Sequence, residues 1–137
     1  MKKNTLLALF LLALSPNFSV FAAEESEIIE TQLGYYTLEP DITTNFVTTG
    51  KKLGYIKVRI DLLVPDIALL PVLEKHNPLV RDAVISVLGQ QREDQIKSLS
   101  GREEIRKETL KQINDRLLIE TGQPVVADLL FTKFLYQ

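Results

Sequence analysis

His76 is the only histidine in the 137 residues and is the natural first candidate for proton transfer or metal ligation. It stands in the run Glu74-Lys75-His76-Asn77 between two apolar-periodic stretches, where a lone imidazole is simplest as a solvated loop residue. Glu103 and Glu104 form a carboxylate pair, but the first turn of a helix explains acids there without chemistry, because they face the unpaired N–H groups. Ser86, Ser98 and Ser100 have no neighbouring histidine and no Gly-x-Ser-x-Gly elbow, so nothing activates a hydroxyl. Phosphate-cradling glycine loops are missing, and zero cysteines remove thiolate nucleophiles, zinc-thiolate sites, disulfides and a lipid-modified N-terminal cysteine. With 16 basic against 18 acidic residues, interleaved, there is no basic stripe for nucleic acid. The residues predict a protein without cofactor, metal or small-molecule substrate, whose tools are its surfaces.

Three stretches are candidates for such a surface. Lys57, Arg59 and Asp61 alternate with apolar residues and read most simply as the wet side of a strand. Near the end of the chain, strict alternation puts Leu130, Phe134 and Tyr136 on one side and Leu129, Phe131 and Leu135 on the other. Apolar residues on both sides fit either a central strand covered twice or an exposed patch awaiting a partner. Arg102, Arg106, Lys111 and Arg116 lie among acids on a charged helix side, which reads as solvated.

The elements that would position these residues follow from periodicity. A chain of this length holds one domain, and 45% hydrophobic and 25% charged residues are those of a globular protein. Tyr35–Leu38 and Ile42–Thr48, rich in aromatic and β-branched residues and separated by Glu39-Pro40-Asp41, predict strands, with Thr49–Lys52 a turn. Tyr55–Val64 alternates almost without fault, Ile56, Val58, Ile60, Leu62 and Val64 against Tyr55, Lys57, Arg59 and Asp61. Pro65-Asp66 opens a short helix through Leu73, and Asn77-Pro78 predicts a helix with Asn77 as N-cap. Leu79, Val80, Ala83, Val84, Val87 and Leu88 line its buried side up to Gly89, and a helical turn over Arg92–Lys97 follows. Ser100 to Glu103 has capping-box spacing for a helix running to Thr121, with Ile105, Leu110, Ile113 and Leu117 as its stripe and Gly122 as its stop. Val125–Gln137 predicts a final strand. The fold class expected is α+β: two layers, helices on one face of a mostly antiparallel sheet.

The N-terminus reads as an address. Lys2-Lys3, the apolar run Thr5–Leu14, Ser15-Pro16-Asn17 and the small residues around Ala22 have the layout of a secretory signal peptide, residues 1–22, with cleavage between Ala22 and Ala23. The competing uncleaved anchor needs roughly 20 apolar residues, about twice this run. Cleavage removes two lysines and no acid, leaving the rest two charges more acidic. Residues 23–34 form an acidic tether that reaches ~40 Å at most.

The blocks YYTLEPDITTNF, GYIKVRIDLLV, PLVRDAVISVLGQQREDQIKSLSGREEIRKETLKQINDRLL and FTKFLYQ, in this order over Tyr35–Gln137, resemble the periplasmic domain of the flagellar basal body-associated FliL family. The most specific part runs from Arg81-Asp82-Ala83-Val84-Ile85 through the Ser100-Gly101 helix start to Ile113-Asn114. The resemblance implies a fold similar to the SPFH domain of stomatin-like proteins and a homo-oligomeric ring at or near the flagellar stator units. It also implies support of rotation, motility and chemotaxis from the periplasm, at the inner membrane, with stator proteins or FliL-type relatives as partners. Typical members keep an uncleaved transmembrane helix where this chain has a signal-like segment. That departure leaves a second expectation open: a periplasmic binding module of the same fold serving a non-flagellar envelope complex.

Overall fold

A computed structural model describes residues 31–50 and 52–137, and the expected signal segment with its Ala22–Ala23 cleavage site lies outside them. The elements run β1 (Gly34–Thr37), β2 (Ile42–Phe46), β3 (Gly54–Val64), a 3₁₀ turn (Ile67–Leu69), α1 (Leu70–Lys75), α2 (Asn77–Gly89), α3 (Glu93–Lys97), α4 (Leu99–Thr121) and β4 (Asp128–Tyr136). The chain is α+β, with a four-stranded antiparallel sheet.

The long alternating strand is the organiser. β3 pairs with β4 on one edge, and on the other with β1 along its last third and β2 along its first half. β1 and β2 are in effect one strand interrupted at Glu39-Pro40, a cis peptide, and Leu38 N–H still donates to Ile60 O at 2.9 Å. Ile56, Val58, Ile60, Leu62 and Val64 are fully buried, whereas Tyr55, Lys57 and Arg59 on the opposite side are exposed. One face is therefore covered by helices and the other is open. Each fully buried Ile or Leu of this row contributes about 1.5–3 kcal/mol of burial.

α2 presents Val80, Ala83, Val84, Val87 and Leu88 to the core, the side its spacing predicts. Asn77 is not its cap: it is the first helical residue, and its amide donates to the Tyr36 hydroxyl at 2.8 Å, tying the helix to β1. α4 buries Gly101, Ile105, Thr109, Ile113 and Leu117, one residue every four. At 100° per residue that stripe advances about 40° each turn, and α4 packs against α2, α3 and β4. Thr109 can be buried because its hydroxyl donates to Ile105 O at 2.7 Å. The N-cap of α4 is Ser98, not Ser100: Ser98 Oγ accepts from Gly101 N–H at 3.0 Å. Two residues earlier than expected, this cap makes α3 and α4 nearly continuous. A Cβ on Gly101 would overlap the Gln95 carbonyl and Ser98 Oγ, so glycine is required at this close approach. Gly122, at φ 78°, ends the helix as its position predicts.

Between α4 and β4 one side chain makes three bonds to the connecting segment. Asn114 Oδ1 accepts from Val125 N–H (3.0 Å) and Val126 N–H (2.9 Å), and its Nδ2 donates to Val126 O at 2.7 Å. Arg106 supports the same corner, pairing with Glu103 and Asp128 and donating to Leu129 O at 3.3 Å.

Candidate functional site: the open face of the sheet

The face not covered by helices carries side chains from all four strands. The chain order of β3 lays Tyr55, Lys57, Arg59, Asp61 and Leu63 along its middle. Across from them stand Tyr35, Thr37 and Thr43 on one edge and Leu130, Lys133 and Leu135 on the other.

Its centre is an ion cluster. The Asp41 carboxylate receives Arg59 Nε at 2.8 Å and Lys133 Nζ at 2.7 Å, with Lys57 Nζ at 3.8 Å. Its side chain is only 10% exposed. The hydrogen bond from Lys133, then that from Arg59, hold its carboxyl well below the ordinary range, at about 2. The same pairing pushes the Arg59 guanidinium up. Asp61 is set apart from this cluster and accepts from the Thr37 hydroxyl at 2.7 Å. Along the strand direction the charges are graded: Lys57 at one end, Asp61 towards the other, and between them Asp41 and Arg59, with Glu39 beside Arg59. Shallow hollows lie beside the cluster, one lined by Glu39, Pro40, Asp41, Thr43, Lys57 and Arg59, and another by Thr43, Tyr55, Lys57 and Leu135.

Apolar side chains flank the charges at both ends. Tyr35 (62% exposed), Leu63 and Leu130 (45%) lie at the Gly34 end, Tyr55 (43%) and Leu135 (58%) at the other.

Strict alternation along the last strand fails, and with it the grouping of Leu130, Phe134 and Tyr136. A bulge shifts the β3–β4 register between Arg59 and Ile60, so Thr132 is the extra residue: Leu130 pairs with Asp61 on the open face, whereas Phe134 pairs with Val58 and Tyr136 with Ile56 on the helical side. There Phe131 and Phe134 pack edge to face at 5.2 Å, and the Arg102 guanidinium lies 4.9 Å above Phe134 and 5.7 Å above Tyr136. Nor is this strand central. β4 pairs with β3 alone and forms an edge of the sheet. Lys57, Arg59 and Asp61 do share the open face; Asp41 and Lys133 join them through pairings that no local pattern in the sequence signals.

Some of the other reactive residues have structural partners. Ser86 Oγ accepts from Arg116 at 3.2 Å, Ser98 caps α4, and Glu103 accepts from Arg106, which keeps its carboxyl low. His76 joins α1 to α2, its carbonyl accepting from Val80 N–H at 3.1 Å. Among the described residues no group of three His, Cys, Asp or Glu side chains converges, and no helix is long and apolar enough to cross a membrane.

The described residues thus form a small α+β domain with one sheet face covered by helices and the other open. The model of the flagellar basal body-associated protein FliL family matches residues 35–137, from the second residue of β1 onward, and the chain belongs to that family. A flagellar protein FliL of Aquifex aeolicus (strain VF5) is 31% identical over 102 residues, covering 74% of this chain and 60% of that relative's length. The association with the flagellar basal body that names the family is the coarse function of its members.

Proposed function

We propose that the protein is a non-enzymatic accessory component of the flagellar motor, acting by contact from the periplasmic side of the inner membrane. In this reading the chain is exported on residues 1–22 and cut between Ala22 and Ala23. Residues 23–34 tether a domain with an SPFH/stomatin-like fold. The domain assembles with copies of itself or with FliL-type relatives into a ring close to the stator units and supports rotation, motility and chemotaxis. The observation that supports it is the family match over residues 35–137, which takes in all the folded elements but the first residue of β1. The contact role is in keeping with an open sheet face whose charges are preorganised and whose ends are apolar. Deleting the gene in its host should lower swimming speed, swarming and stator occupancy, most of all in viscous medium. Unchanged values at every viscosity would overturn the reading.

The signal-like segment Lys2–Ala22 favours one second reading, a free periplasmic module serving another envelope complex. Crosslinking in cells separates the two: recovery of stator or basal-body components supports the first, and recovery of other envelope proteins alone supports the second.

A further inference from the structure

We propose that two copies of this chain pair through the open faces of their sheets, with their strands antiparallel. The inference deepens the self-association part of the reading above and rests on it, while naming a contact that reading leaves open.

An open sheet face that stays wet has no use for large apolar side chains, yet this one exposes Tyr35 and Leu130 at one end and Tyr55 and Leu135 at the other. The charges between those ends choose the occupant. Lys57, Arg59 and Lys133 are balanced by Glu39, Asp41 and Asp61, so a partner of one sign, such as a nucleic acid or a uniformly acidic peptide, meets repulsion over half of the face. A second copy carries both signs in the same gradient. Rotating it by a two-fold axis that runs across the strands near Arg59 sets Lys57 of each copy towards Asp61 of the other, and seats each apolar end on the opposite one. The other two-fold arrangement, with strands parallel, stacks Lys57 on Lys57 and Asp61 on Asp61. At the axis Arg59 and Lys133 of each copy face their own counterparts, already neutralised by their own Asp41, and away from it the antiparallel pair is complementary in sign and in apolar content, as an isologous contact must be. The Asp41–Arg59–Lys133 cluster is already fixed within each copy, so its side chains lose little freedom on pairing. A pair closed by a two-fold leaves the helical layer and the free edge of β4 for any larger assembly.

Light scattering on the purified mature chain, run over a concentration series, tests this with a charge swap. The wild type should give twice the chain mass at high concentration and the chain mass on dilution. Lys57→Glu and Asp61→Lys should each weaken pairing by about tenfold or more, and the double variant should recover most of the loss. Wild type at the chain mass throughout, or a double variant no better than the singles, overturns the proposal. Should circular dichroism show that a charge reversal unfolds the domain, Leu135→Glu at its exposed position decides: loss of pairing supports the contact and unchanged pairing refutes it. Normal motility in a deletion strain would remove the flagellar role without touching this result, and a wild-type monomer would remove the pair without touching that role.

Discussion

Asp41 sits in a depression of the open face with Lys133, Arg59 and Lys57 around it, and its carboxyl titrates at about 2 rather than 3.8. A carboxylate whose folded pKa is depressed contributes stability that is fully present above the unfolded pKa and is lost as pH falls through the folded one. For Asp41 the contribution should be constant above about pH 4 and fade between 3.8 and about 2. Denaturation midpoints of wild type and Asp41→Asn should therefore differ at pH 7 and converge near pH 2. A constant gap over that range would refute the assignment. Asn114 should matter more. Asn114→Ala strands two N–H groups and a carbonyl at the nearly buried Val125–Val126 corner, a loss of about 2–4 kcal/mol in urea unfolding. At this scale the sequence was legible only in part. Lys57, Arg59 and Asp61 declare their face by period-2 spacing, but Asp41 meets Lys133 across 92 residues, and Asn114 reaches Val125 across 11. Pairings of that kind leave no periodic trace.

Among the elements, those set by burial alone were readable. β3 and α2 show their buried sides because every second, or every third and fourth, residue must be apolar to face the core. Where a local bond competes, the reading shifts. Ser100 has the spacing for a capping box, yet Ser98 takes the role because Gly101 lets α3 and α4 approach within a turn of each other. Gly101→Ala should lower stability by about 2–3 kcal/mol through overlap with the Gln95 carbonyl. Gly50→Ala, with nothing within 4 Å, should be neutral or slightly stabilising. Equal effects of the two substitutions on the urea midpoint would show that the α3–α4 approach is not tight. The bulge in β4 was illegible for a different reason: an extra residue changes the phase of alternation without changing composition. It places Leu135 and Leu130 on the open face and Phe134 on the covered one. Phe134→Ala should accordingly cost about 3 kcal/mol of stability, and Leu135→Ala much less. Thermal unfolding of the two variants separates them, and similar losses would contradict the register.

For the molecule as a whole, the family is carried by the ordered set of blocks from Tyr35 to Gln137, and the α+β class by the order of periodicities. The N-terminal sequence of the protein recovered from its host should begin at Ala23, in a fraction released without detergent; a start at Met1 in extracted membrane would retain the anchor. The sheet's central strand is completed only by the last one: Ile56 pairs with Tyr136 and Leu62 with Leu129. Until those final residues leave the ribosome, β3 lacks an entire edge, and the ladder that closes it spans most of the domain. A nascent chain of this design keeps that edge open until Asp128–Tyr136 has been made. A chain cut short before Asp128 would be left with a bare strand edge, fit for proteolysis or aggregation.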